Sequence, residues 1–80
     1  MTKLISIDPG KSKCGLVLAE INEQKIYKAI ILESELLEDY VRNLNNVEEI
    51  SKIIIGNGTT SNSIRQKLDF FKKEIITFEE

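Results

Sequence analysis

The sequence predicts an α/β domain in which a five-stranded mixed sheet has the element order β-β-β-α-β-α-β. Three short runs rich in Val, Ile, Leu and Tyr come first, and two apolar stripes at helical spacing then alternate with two further strand-like runs. A hairpin beside the first strand and right-handed crossovers into later parallel strands give the strand order 3-2-1-4-5.

The first three strands are predicted at residues 3–8, 14–20 and 25–32. All three are rich in β-branched and other apolar side chains, which favour a pleated, half-buried surface. The polar turn Asn22-Glu23-Gln24 separates the second and third runs, and this pattern is typical of a hairpin.

Ser34 is predicted as the N-cap of the first helix, and Asn45-Asn46 as its end. The helix carries one apolar stripe, formed by Leu36, Leu37, Tyr40, Val41 and Leu44. The run at 51–56 contains Ile53, Ile54 and Ile55 in succession, which is typical of a parallel strand buried on both faces.

A glycine loop is predicted at residues 56–60, between the fourth strand and the second helix. Thr60 or Ser61 can cap that helix. Its apolar positions follow the i, i+4, i+7 spacing and are Ile64, Leu68 and Phe71. The last strand is predicted at 74–78.

Composition limits the chemistry that this chain can perform. Its 80 residues correspond to one small domain, 1–80, and its net charge of −2 argues against a uniformly basic nucleic-acid-binding surface. Without histidine no Ser-His-Asp or Cys-His arrangement is possible, and one cysteine is too few for a zinc site. We expect a cytoplasmic protein without contact to a membrane, because the sequence has no signal-peptide layout and no long apolar run.

Asp8 is the most informative residue for function. It closes the first apolar run and precedes a Pro-Gly turn, so the predicted fold places its carboxylate at the carboxyl end of a central strand. Ligands of open α/β sheets bind at such strand ends, where the strand order reverses. Carboxylates suit hard cations such as Mg²⁺ or Mn²⁺.

The segment Ile7-Asp8-Pro9-Gly10, with Gly15 after it, resembles the opening of ribonuclease-H-like nucleases of the Holliday-junction resolvase group, of both the RuvC and the YqgF types. Residues 53–60 resemble the fourth strand of that family and its following loop. Phe78-Glu79-Glu80 resembles a strand end that carries an acidic pair in the YqgF type. The resemblance implies a ribonuclease-H-like fold.

The resemblance also implies roles for individual residues. Asp8 and Glu80 would be catalytic, and Asp8, Glu79 and Glu80 would be the candidate ligands of Mg²⁺ or Mn²⁺. Two departures stand out: Asn57 occupies the region where the RuvC type carries a glutamate, and no later helix with a further essential aspartate is present within the 80 residues. We therefore expect the chain to correspond to the N-terminal part of the family fold.

Candidate contacts to nucleic acid come from loops and small residues near the predicted strand ends, where amides and cations can meet phosphates. The candidates are Lys11, Lys13, Gly15, Gly58, Thr59 and Thr60, with Arg65 and Lys67 as further basic residues. The implied function is a metal-dependent nuclease that cuts phosphodiester bonds in structured or branched DNA or RNA.

Two alternative functions remain open at this stage. The first is a non-catalytic nucleic-acid-binding or interaction module with the same fold. The second is a nucleotide-binding fragment of the actin and sugar-kinase type, whose first strand also ends in an aspartate and a glycine turn. An unpaired fifth strand leads us to expect a homodimer, because exposed sheet edges favour pairing.

Overall fold

A computed structural model describes residues 3–58 and 60–78. The strands, each within one residue of its predicted limits, are β1 Lys3–Asp8, β2 Lys13–Glu20, β3 Lys25–Glu33, β4 Ile50–Gly56 and β5 Glu74–Phe78. The helices are a 3₁₀ turn at Ser34–Leu36, α1 at Leu37–Val47 and α2 at Ser61–Lys67. The predicted element order is confirmed.

The strands form one sheet in the order β3-β2-β1-β4-β5, which confirms the predicted topology. The central strand β1 is antiparallel to β2 and parallel to β4, while β3 is antiparallel to β2 and β5 is parallel to β4. The sheet direction therefore changes at β1, and the carboxyl ends of β1, β4 and β5 lie along the same rim.

A hydrophobic core covers one face of this sheet, hereafter the helix face. Strand alternation and register place alternate side chains of β1, β2 and β4 on this face. There they pack against apolar residues of α1, of α2 and of the turn after α2. The core residues are Ile5, Ile7, Cys14, Leu16, Leu18, Leu37, Val41, Leu44, Ile50, Ile53, Ile55, Ile64, Leu68 and Phe71. In the described part of the chain, neither helix has the length and apolar character needed to cross a membrane.

The opposite face of the sheet is hereafter called the open face. The exposure of β4 on this face shows that the prediction of a strand buried on both faces was wrong. Ile53 and Ile55 are buried on the helix face, but Ile54 between them points to the other side and is only half-buried. The prediction of burial on both faces failed because both helices pack against the same side.

The helix limits also differ from the predictions. Ser34 does not cap α1; it begins the 3₁₀ turn, and its hydroxyl donates a hydrogen bond to the Gly10 carbonyl at 2.8 Å. Helix α1 continues to Val47, beyond the two asparagines. Helix α2 ends at Lys67, so the buried Leu68 and Phe71 belong to the turn that follows it.

The turn that leaves β1 is held by a close backbone approach. A Cβ atom at Gly10 would lie 2.0 Å from the carbonyl oxygen of Lys13, a distance that real Cβ atoms do not tolerate. The backbone amide of Ser34 also donates to the Ser12 carbonyl at 2.9 Å, which ties the end of β3 to this turn. The residue after Pro9 must therefore be glycine for the turn to close as it does.

We predict that Gly10→Ala lowers the free energy of unfolding by about 1–3 kcal/mol, because the new methyl group meets backbone rather than a flexible side chain. Gly58→Ala is the matched control, since a Cβ atom there meets nothing within 4 Å. Denaturant unfolding of both variants measures the difference. Equal stability of the two variants would contradict the assigned turn geometry.

Candidate active site

Asp8 is the last residue of β1, and its side chain is exposed at the rim shared by the ends of β4 and β5. Alternation along β1 places Ile5 and Ile7 on the helix face, so Ser6 and Asp8 lie on the open face. The predicted position of Asp8 is therefore confirmed. A carboxylate at this point is held by the central strand of the sheet while remaining accessible to ligands.

Asp8 belongs to a row of residues that crosses the open face, hereafter the Asp8 row. Gly15 of β2 lies directly opposite Asp8, and Ile31 of β3 lies opposite Gly15. On the other side, Gly56 follows the paired residue Ile55 in β4 and is itself paired with Phe78 of β5. The Asp8 row thus consists of Ile31, Gly15, Asp8, Gly56 and Phe78.

The two glycines leave the Asp8 carboxylate without a neighbouring side chain on either adjacent strand. The row ends in two exposed apolar side chains, because Ile31 is 77% and Phe78 is 59% exposed. A groove of about 620 Å³ lies beside the carboxylate on the β2 and β3 side. It is lined by Ser6, Asp8, Gly15, Leu16, Val17, Ala29, Ile30 and Ile31. Gly15 therefore keeps open the approach to Asp8.

The loop after Asp8 carries two exposed lysines, Lys11 and Lys13. They border a separate recess of about 320 Å³ together with Ser12, Glu33, Ser34 and Glu35. The two glutamates offset the positive charge of the lysines, so this loop is a mixed-charge surface rather than a strongly basic patch.

The other predicted contact residues lie in and beyond the loop after β4. Gly58 is exposed, and its carbonyl oxygen accepts a hydrogen bond from the Ser61 hydroxyl at 2.9 Å. Thr60 precedes α2 but makes no side-chain cap. Arg65 donates to the Thr77 hydroxyl at 3.1 Å, and Lys67 is exposed. The predicted residues Thr59, Glu79 and Glu80 lie outside the described residues.

The predicted Mg²⁺ or Mn²⁺ site is not completed by the residues that the structure describes. Within 3–58 and 60–78, no group of three or more acidic or cysteine side chains is close enough to hold a metal ion. Asp8 alone offers too few ligands, because hard cations are held by several oxygens. The backbone amide of Asn57, the residue at the predicted glutamate region, donates to the Phe78 carbonyl at 2.7 Å.

Sequence reasoning did not identify Ile31 and Phe78 as site residues, and it treated Gly56 only as part of the glycine loop at 56–60 rather than as a neighbour of Asp8. Phe78 and Gly56 could have been found by extending strand alternation along the predicted parallel ladder from β1. Ile31 required the register of the β2–β3 hairpin, which the turn sequence left open.

Cys14 lies next to the site in sequence, but its side chain points into the helix-face core. Burial raises the pKa of its thiol, hydrogen bonding with Ser34 lowers it, and the negative charge of Asp8 adds to the increase. The thiol is therefore protonated and unreactive at neutral pH.

Comparison of this sequence with protein-family models finds no match, and no curated protein matches it either. Solved structures do match. The chain resembles Thermus thermophilus RuvC in complex with a Holliday junction substrate, with a TM-score of 0.71 and 9% sequence identity over 99% of this chain. This comparison confirms the predicted ribonuclease-H-like fold, and the chain spans 65% of that RuvC chain.

Two other structures share the same architecture. An uncharacterized Pseudomonas aeruginosa protein with similarity to the peptidase YEAZ matches with a TM-score of 0.61 and 14% identity, over 100% of this chain and 44% of that one. The Aquifex aeolicus PPX-GPPA enzyme matches with a TM-score of 0.54 and 15% identity, over 95% and 36%. At such low sequence identity, these matches show that the fold is shared. They do not show that an activity is shared.

We predict that Cys14 makes stability depend on pH in the alkaline range. Its folded-state pKa lies above the ordinary value of 9.0, so its contribution is complete below that pH and decreases as pH rises through the folded pKa. Denaturant unfolding between about pH 8 and about pH 10 should show this decrease. In Cys14→Ala the free energy of unfolding is lower at neutral pH, but this part of its pH dependence disappears. An unchanged slope of the free energy of unfolding against pH would show that Cys14 is not its cause.

Proposed function

We propose that this chain is a nucleic-acid-binding protein of the resolvase type, in which Asp8 is one of the carboxylates that act on a phosphodiester bond. The observation that carries this proposal is the position of Asp8, exposed at the end of the central strand between two glycines. The likeness of the fold to RuvC in complex with a Holliday junction substrate supports a branched or structured nucleic acid as the ligand.

The open face can admit a nucleic-acid backbone because the Asp8 row is flat at its centre. Gly15 and Gly56 leave space for phosphate oxygens on either side of the carboxylate, and Lys11 and Lys13 lie in the adjoining loop. Lysine contacts to phosphate supply sequence-independent affinity. Exposed Ile31 and Phe78 at the ends of the row offer apolar surface for sugars and bases.

Cleavage by such a site requires a divalent cation, Mg²⁺ or Mn²⁺, which when bound stabilises charge on the phosphate oxygens. The described residues contribute Asp8 and do not complete the ligand set. Glu79 and Glu80 are our candidates for further ligands, with Glu80 catalytic. In this proposal the chain's own part is to present one rigid carboxylate and to keep the space beside it free of side chains.

A non-catalytic nucleic-acid-binding module is the second candidate. It is favoured by the lack of a carboxylate cluster among residues 3–58 and 60–78. In this case the open face binds nucleic acid through the same lysines and glycines, and Asp8 takes no part in cleavage.

A nucleotide-binding protein related to actin-like phosphatases is the third candidate, favoured by the likeness to the PPX-GPPA enzyme. Thermal unfolding with and without ATP distinguishes it. Stabilisation by ATP that is lost in Asp8→Asn supports this third candidate and argues against a nuclease.

We predict that Asp8→Asn abolishes Mn²⁺ binding and reduces cleavage of a branched DNA or a structured RNA to background. The substitution keeps the size of the side chain and removes the charge that binds a hard cation. Asp39→Asn, in the exposed surface of α1, is the matched control and should behave like the original protein. Paramagnetic broadening by Mn²⁺ and single-turnover cleavage are the measurements.

The two readouts separate the candidates. Broadening around Asp8 with cleavage supports the nuclease, and nucleic-acid binding with neither broadening nor cleavage supports the non-catalytic module. Equal cleavage by the original protein and Asp8→Asn would exclude Asp8 from the chemistry.

We also predict that Lys11→Gln combined with Lys13→Gln weakens nucleic-acid binding equally for different sequences. Loss of two phosphate contacts should lower the slope of log affinity against log salt by about 1–2. Lys72→Gln is the control, because that lysine donates to the Asp69 carbonyl on the exposed turn after α2. An unchanged salt slope in the double variant would show that this loop does not contact phosphate.

A further inference from the structure

The strand β3 is an outer strand of the sheet and is also the longest strand, at nine residues, compared with five in the other outer strand β5. A long exposed edge presents backbone N–H and C=O groups that can pair with another strand, and proteins usually shorten or block such edges. Most side chains of its nine residues are exposed. The free edge of β3 can therefore pair with a strand of a partner chain.

The direction of the backbone groups in β3 follows from one hydrogen bond at its end. The Ser34 amide donates to the Ser12 carbonyl, so the facing residues Ser12 and Ser34 form a hydrogen-bonded antiparallel pair. The register continues without a shift from Lys13–Glu33 to Leu18–Lys28. Alternation then directs the backbone groups of Ala29, Ile31 and Glu33 outward.

A β-bulge limits the regular part of this edge. The register shifts between Leu18 and Ala19, where the β3 partners jump from Lys28 to Ile26 and leave Tyr27 as the extra residue. Bulges disrupt further pairing and are a common protection of edge strands. The regular outward edge therefore runs over residues 28–33.

We propose that a second copy of this chain pairs with β3 in antiparallel orientation, around a two-fold axis that passes between the two Ile31 residues. This register pairs Ile31 with Ile31 and Ala29 with Glu33 of the second copy, and forms about six backbone hydrogen bonds. It uses all three outward-directed residues and stays clear of the bulge. A register centred on Ala29 would instead place Ile31 opposite the bulged Tyr27.

The side chains are compatible with this self-pairing. Ile31, 77% exposed in the single chain, meets its copy on the open face, and Ile30 meets Leu32 of the copy on the helix face. Lys28 faces Ser34 and Glu33 faces Ala29, so no like charges stand opposite each other. A two-fold symmetric dimer is also the commonest form of soluble homo-oligomer.

The proposed pairing joins two Asp8 rows into one. Because Ile31 lies in the same row as Gly15 and Asp8, the two-fold axis continues the row across a ten-stranded sheet. The two Asp8 residues are then separated by five strand spacings of about 4.8 Å, or about 24 Å, on the same open face. If the proposed function holds, this arrangement presents two equivalent carboxylates to a two-fold symmetric nucleic acid; the pairing itself does not depend on it.

The first test compares Ile31→Lys with Ile26→Lys by sedimentation velocity over a wide range of protein concentration. Both residues are exposed on the open face of β3, but Ile26 lies beyond the bulge and outside the proposed register. The original protein and Ile26→Lys should dimerise with rising concentration, and Ile31→Lys should remain monomeric because two lysines would face each other. Circular dichroism checks that both variants fold.

The second test determines the register. In a Cys14→Ala background, Ile31→Cys should form a disulfide-linked dimer under mild oxidation, because paired Cα atoms about 5.5 Å apart suit a disulfide. Ile26→Cys is the control and should give little dimer.

Monomers at every concentration would overturn the proposal, as would equal cross-linking at positions 26 and 31. A different protein that binds this edge would leave the purified chain monomeric and so would also overturn it. Neither test measures metal binding or cleavage, so a failure here leaves the proposed function of Asp8 to its own experiments.

Discussion

The structure depends on a core that covers only one face of the sheet. Both helices and the turn after α2 pack against the side chains that alternate inward from β1, β2 and β4. Burial of this apolar surface is the main driving force for folding a domain of this size. Because alternate residues of β1, β2 and β4 point toward the helices, the intervening residues are left on the open face, and Asp8 is one of them.

The position of Asp8 is fixed by backbone constraints as well as by the core. The turn after β1 closes only because Gly10 approaches the Lys13 carbonyl, and the Ser34 side chain binds the carbonyl of the same glycine. The end of β3, the start of the helical segment and the exit from β1 are therefore joined at one place. The backbone that carries the carboxylate is therefore already ordered before a ligand binds, which favours affinity.

The same architecture occurs in proteins described by very different names: a junction-bound RuvC, a protein similar to a peptidase, and a PPX-GPPA enzyme. Their likeness to this chain is one of fold alone. A fold can host different activities, which depend on the residues of the particular site. In this chain the rim residues are one aspartate, two glycines and two exposed apolar side chains.

The sequence by itself determined the five strands, their order and the position of Asp8 at the end of the central strand, because alternation, turn residues and crossover handedness are local or topological properties. Only the tertiary structure decided which face stays open, that Ile54 is half-buried, that Ser34 binds the Gly10 carbonyl, and that Ile31 and Phe78 share a row with Asp8. These features depend on strand register and on the side to which each helix packs. Both are set by contacts between residues far apart in the chain, which local patterns do not encode.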